Sequence, residues 1–192
     1  MRNEITKTEN QLKMNAAEVS SERKNMTSMT DKTILSKLKR ALKKFYKKDF
    51  LLIEYKVAER ALTHKLAEYL QKSFPEYNVD CEYNKVGSGD PKRIFFLMDS
   101  DPDCPHNCNE CAAGKCVIFP DIIVHKRGTE ENILAIEAKT SWSRHSQNED
   151  YKKLQALRDS GEYHYQMGAA FRFEPTVEAT LETLKIFQRE SE

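Results

Sequence analysis

Apolar positions recur at helical spacing over two early stretches of the chain and alternate over several later ones. From Asp31, a favoured capping residue, Ile34, Leu35, Leu38, Leu42 and Phe45 fall on one face of a helix predicted over residues 31–50. Lys37, Lys39, Arg40, Lys43, Lys44, Lys47 and Lys48 fill most of the other positions, so the helix is amphipathic and basic. A solvated face on a docked helix and a contact with phosphate or a partner both account for that pattern. A second helix is predicted over 57–73, with Leu62, Leu66 and Leu70 as its buried stripe and Phe74 and Pro75 ending it. Glu59 stands three residues before Leu62 on that stripe. A carboxylate there needs a partner, unless it simply occupies the first turn, where the helix dipole favours acids.

Alternation predicts strands over 77–84 and 93–98, with a turn at 87–91 between them. Residues 117–140, VIFPDIIVHKRGTEENILAIEAKT, place two β-branched apolar runs around a turn at 127–131 that contains Gly128, a β-hairpin pattern. A helix opening at Ser146 or Asn148 carries Tyr151, Leu154 and Leu157, and Gly161 is placed to end it. A strand over 163–173 follows, with Tyr165, Met167, Ala169 and Phe171 on one face. A last helix starts at Pro175 and Thr176 and runs through Val177, Leu181, Leu184 and Phe187. This order of elements predicts an α/β (α+β) fold, a mixed central sheet flanked by helices.

Residues 1–30 are polar and lack an apolar period, so they are read as a flexible arm. The chain of 192 residues otherwise suits one domain, expected over 51–192 behind the basic helix of 31–50 and interrupted by a Cys-rich insertion at 99–117. Lys and Arg number 31 against 30 Asp and Glu, which excludes a strongly polycationic chain but not a local basic face. No stretch approaches the roughly 18 apolar residues of a membrane span, and the start lacks the apolar core of a signal peptide. A cytoplasmic protein with no membrane partner is expected.

Four of the five cysteines, Cys104, Cys108, Cys111 and Cys116, follow the spacing C-x3-C-x2-C-x4-C, with His106 and Gly114 inside it. Four thiolates can close a tetrahedral Zn²⁺ site and stabilise a loop too short to build its own core. Reduced thiols and disulfides remain open alternatives. Cys81 is left over and is expected to pack in a strand.

The hairpin carries the chemistry. If Lys126 pairs with Asn132, antiparallel pairing carried along the strands sets Asp121 opposite Glu137, and the two-residue period puts Glu137 and Lys139 on one face. Opposed carboxylates repel unless something positive lies between them, and a hard divalent cation meets that need with one or two carboxylate ligands. A strand-start aspartate and surface strand residues are the plainer alternative. Gln155, Lys152 and Lys153 on the following helix, and Glu82 on a neighbouring strand, could approach the same place, although an exposed face explains each of them too. Trp142 and His145 could stack on or touch a base, or merely pack. His64 and His125 are read as ordinary helix and strand residues.

Pro120-Asp121, the hairpin turn and Glu137-Ala138-Lys139 together resemble the signature of the PD-(D/E)XK nuclease superfamily. VAERALTHKLAEYL, VDCEYNK, FPDIIVHKRG and YKKLQALRDSGEYHYQMGA look like a branch of small stand-alone bacterial members. The resemblance covers roughly residues 57–173. It implies a restriction-endonuclease-like core and Mg²⁺-dependent (or Mn²⁺-dependent) hydrolysis of phosphodiester bonds, with nucleic acid, above all DNA, as the partner. Asp121 and Glu137 would hold the metal with the Ala138 carbonyl as a further ligand. Glu59, matching an acid on the family's first core helix, would support it, and Lys139 would assist the attacking water. By analogy alone, the family points to phage defence or nucleic-acid processing, and to a homodimer or partner protein where both strands are cut. A non-catalytic binding module that keeps the fold, or a subunit active only with a partner, is the alternative.

Overall fold

The computed structural model describes residues 29–83, 93–95, 115–159 and 163–188. The arm before residue 29, the turn at 87–91, Gly161 and three of the four clustered cysteines (Cys104, Cys108 and Cys111) lie outside the described residues. Of Cys116 only the backbone is described. The chain divides into Met1–Thr30 and Asp31–Glu192, and every element below belongs to the second unit.

Helix α1, Asp31–Glu54, passes through a non-helical Asp49 (φ −127°, ψ 25°) and resumes beyond it. Ile34, Leu38, Ala41, Leu42 and Phe45 on its apolar stripe are fully buried. The helix therefore packs into this unit along its length. Helix α2, Glu59–Ser73, buries Leu62, Leu66 and Leu70. At its end the Phe74 N–H donates to the Leu70 carbonyl at 2.8 Å, just before Pro75 would break the helix.

The strands are β1 (Asn78–Cys81), β2 (Arg93–Phe95), β3 (Lys115–Val117), β4 (Ile122–His125), β5 (Asn132–Thr140), β6 (Met167–Phe173) and β7 (Lys185–Gln188); helices α3 (Asn148–Asp159) and α4 (Val177–Thr183) complete the fold. β2 and β3 pair as a two-stranded sheet; the main sheet runs β1-β4-β5-β6-β7. Within it β5 and β6 are parallel and the other neighbours antiparallel. The fold is thus α+β, a mixed five-stranded open sheet with four helices among the described residues. None of those helices is long and apolar enough to cross a membrane.

The C-terminal segment differs from expectation. The last helix stops at Thr183, and Leu184 takes an extended conformation (φ −67°, ψ 114°) that leads into β7. Thr183 Oγ1 donates to the Thr180 carbonyl at 2.8 Å and accepts from the Arg172 N–H at 2.9 Å, which ties the helix end to β6. Ile186 and Phe187 suit a strand as well as a helical stripe, and the free edge of β6 decides between them.

The two sheet faces have separate cores. On one, Phe45 of α1 packs on Phe173 with ring centroids 5.5 Å apart. On the other, Ile123, Ala135 and Ala170 pack with Leu154, Leu157, Tyr163 and Tyr165. Gly168 allows α3 to lie close here, because a Cβ at that position would stand 3.2 Å from the Leu154 Cβ and 3.3 Å from the Phe187 Cβ.

Candidate active site

The hairpin turn closes with the Lys126 N–H donating to the Glu131 carbonyl at 2.9 Å, and Gly128 supplies the positive φ (73°) within it. The expected Lys126–Asn132 pair does not form. His125 pairs with Asn132, and a bulge between Val124 and His125 restores the pairs Val124–Leu134, Ile123–Ala135 and Ile122–Ile136. Those last pairs are the ones the expected register requires. They bring Asp121, one residue before β4, to the level of Glu137.

Around that end of β5 the charged side chains interlock. Asp121 Oδ2 accepts from the Ala138 N–H at 2.7 Å. Glu59, in the first turn of α2, accepts from Lys139 Nζ and from the Thr140 N–H, each at 3.1 Å. Both of its oxygens are engaged by the β5 end. Lys139 also faces Asp150 Oδ2 of α3 at 3.6 Å. Lys153 faces Asp150 Oδ1 at 3.4 Å and Glu137 Oε1 at 3.9 Å. Glu137 and Asp150 are almost wholly buried, yet Glu137 Oε1 and Asp150 Oδ2 have no hydrogen-bond partner, their lysines standing at ion-pair but not hydrogen-bond range.

Four carboxylates thus meet two ammonium groups, and the electrostatics record the deficit. Burial pushes the Asp121 carboxyl up to about 6; the Ala138 N–H and Lys139 work against that, while Glu59 and Asp150 add to it. Burial, joined by the Asp121 charge, raises Glu137 well above the ordinary carboxylate range. Burial alone would lower Lys139, but the charges of Asp150, Asp121 and Glu59 outweigh it, so the group is held firmly as an ammonium. Lys153 is raised in the same way, burial opposing and Glu137 and Asp150 prevailing. Perturbation of this kind is what functional sites show more often than structural ones.

The other candidates fall elsewhere. Glu82 pairs with Arg60 at 2.7 Å on the surface, and Lys152 pairs with Glu149 at 3.2 Å. Gln155 is exposed; Trp142 is half-buried and His145 exposed in the turn after β5. His64 is exposed, 4.0 Å from Glu68. Cys81 is half-buried in β1, and burial lifts its thiol to about 11.

Two features escaped the sequence reading. Asp150 lies four residues before Leu154 and seven before Leu157 on a buried stripe, the same signal that singled out Glu59. His125 is not partnerless: its Nε2 lies 2.8 Å from Asp80 Oδ2, an oxygen that also accepts from Arg127 Nε at 2.9 Å. Asp80 is on a strand distant in sequence, so no local spacing reveals the pair.

Among the described residues no three His, Cys, Asp or Glu side chains form a ready-made metal cage. The donor set nevertheless suits a hard cation: carboxylate oxygens of half-buried Asp121 and of buried Glu137, whose Oε1 has no hydrogen bond, and a local excess of negative charge. Such a cation would offset the burial that raises both groups and the charge of Asp121 that adds to it at Glu137. No family model, curated protein or solved structure matches the chain.

Proposed function

We propose that the chain is a metal-dependent nuclease of the PD-(D/E)XK type, acting on DNA. The observation that carries the reading is Glu137: a buried carboxylate with an unsatisfied oxygen, charge-coupled to Asp121, on the same strand face as the ammonium of Lys139. Apart from β2 and β3, which pair in a separate sheet, the order α2, β1, β4, β5, α3, β6 supports it, because the family that the sequence resembles has a core of helix, three strands, helix and strand. Asp121 and Glu137 would hold Mg²⁺ or Mn²⁺. The ion would neutralise charge on the scissile phosphate and lower the pKa of the attacking water, so that its proton would pass to solvent at neutral pH.

The chain's own residues supply positioning. Lys139 is charged in the described arrangement, so it serves as a donor to the attacking water or to the phosphate oxygens rather than as a base. Glu59 positions it: one carboxylate oxygen holds Nζ while the other is anchored on the Thr140 N–H. Lys153, between Glu137 and Asp150, can reach a bound phosphate or lock the acids in place.

The test is incubation of the purified chain with Mg²⁺ or Mn²⁺ and end-labelled single-stranded DNA, duplex DNA and RNA. Cleavage lost on chelation, in Asp121→Ala and in Lys139→Ala, is the expected result. No cleavage of any substrate, or cleavage indifferent to both substitutions, overturns the reading. Nucleic-acid binding without cleavage by the wild type would favour the binding module instead.

A further inference from the structure

The exposed half of α1 carries Lys39, Lys43 and Lys47 in one row and Arg40, Lys44 and Lys48 in another, each row spaced at four residues. All six are exposed, none is paired with a carboxylate among the described residues, and no acid interrupts the helix between Lys32 and Lys48. Like charges four apart on a helix repel one another, so the arrangement weakens the isolated helix, and no described acid pairs with the six to offset it. The opposite half of α1 is committed, because Ile34, Leu38, Leu42 and Phe45 are fully buried in the core.

We propose that this double row is a nucleic-acid backbone track, the surface by which the chain holds its substrate without reading sequence. The proposal rests on the nuclease reading only in taking nucleic acid as the polyanion. A rise of 1.5 Å per residue sets successive cations in each row about 6 Å apart, close to the spacing of consecutive phosphates along a strand. Side chains of one sign with no acids interspersed are what sequence-independent phosphate contact requires. At the C-terminal end of the track Phe50, Leu51 and Tyr55 are exposed, at 44%, 55% and 69%. Aromatic rings beside such a track can stack on unpaired bases. A lipid surface fits less well: an amphipathic helix that binds membrane inserts its apolar face, and here that face is already buried.

The experiment is fluorescence anisotropy of a labelled duplex and a labelled single strand, titrated with the full chain in EDTA over a range of salt. The wild type is compared with Lys39→Gln/Lys43→Gln/Lys47→Gln and with Phe50→Ser/Tyr55→Ser, and circular dichroism confirms folding. Since affinity falls with salt in proportion to about 0.9 per phosphate neutralised on duplex DNA, the triple variant is expected to lower the log–log slope by about 2.7. It should also weaken binding at least tenfold, and the double variant should weaken single-strand binding more than duplex binding. An unchanged slope and affinity in the triple variant overturns the proposal, as does preferential wild-type binding to phosphatidylserine vesicles over DNA. If the wild type binds through these residues but cleaves nothing with metal, the track stands and the nuclease reading falls. If cleavage and binding proceed unchanged in the triple variant, the reverse holds.

Discussion

The same sheet holds two charged clusters, and they are built to opposite ends. At the turn end of β4, Asp80 is satisfied: Arg127 bonds both of its oxygens and His125 shares one. Burial alone would raise its carboxyl, but the bonds from Arg127 and His125 prevail and hold it below the ordinary range. At the other end of β4, Asp121 and Glu137 are pushed up, and Glu137 keeps an oxygen without a hydrogen bond. A satisfied cluster contributes to stability as it stands. An unsatisfied one in a buried place costs stability and marks where a ligand would be welcome.

Substitution can break this contrast, and the largest effect is expected on cleavage. Lys139→Ala should lower the rate at least about a hundredfold, whereas Asp80→Asn, assayed on its folded fraction, should stay within a few-fold of the wild type. Equal losses in the two would erase the distinction.

Metal addition comes next. At pH 7.5, Mg²⁺ at a hundred times its dissociation constant should raise the unfolding free energy by about 2.7 kcal/mol. Urea melts should show this stabilisation in the wild type and in Asp80→Asn but not in Glu137→Gln. It should shrink at pH 5, where protons compete for the raised carboxylates.

In the absence of metal, the two clusters should respond to neutralisation with different signs. Asp80→Asn strips Arg127 and His125 of their shared charge and should cost about 1–3 kcal/mol. Glu137→Gln removes a charge that burial already disfavours, so its unfolding free energy should equal or exceed that of the wild type. A clear loss in Glu137→Gln would place that residue with the structural cluster.

The smallest effect is in the pH profile. Asp121 is raised from 3.8 to about 6, so the native state binds more protons than the unfolded chain in that window, and stability falls as pH rises through it. Asp80 is lowered, so its contribution is present above 3.8 and is lost as pH falls through its folded value. Glu137, also raised, adds to the same slope, so denaturant melts in EDTA should show a shallower slope between pH 4 and 6.5 in Asp121→Asn, and a weaker acid limb below pH 4 in Asp80→Asn.

Much of the molecule is legible along the chain because its signals are local. The stripes Leu38–Leu42–Phe45 and Leu62–Leu66–Leu70 depend only on a helical period, and Gly128 with its β-branched flanks depends only on turn chemistry. The level of Asp121 with Glu137 follows from hairpin pairing, although two local differences cancelled: a first pair displaced by one residue, His125 in place of Lys126 opposite Asn132, and a bulge that restored the register. Glu59 and Asp150 could both be suspected, since an acid on a buried stripe has to be answered by something.

Only the tertiary structure decided what answers them. Lys139 meets Glu59 from 80 residues away, and Asp80 meets His125 and Arg127 from more than 40, with nothing in the intervening chain to announce the match. The same holds for the last strand. Leu184, Ile186 and Phe187 carry a pattern that serves a helix or a strand, and the unpaired edge of β6 settled it. By itself the sequence determined the periodic elements, the hairpin and the basic half of α1, because backbone geometry over a few residues dictates them. Which carboxylates are satisfied and which stay buried with an unmet oxygen was decided by packing, since desolvation and charge coupling depend on neighbours that only the fold brings together.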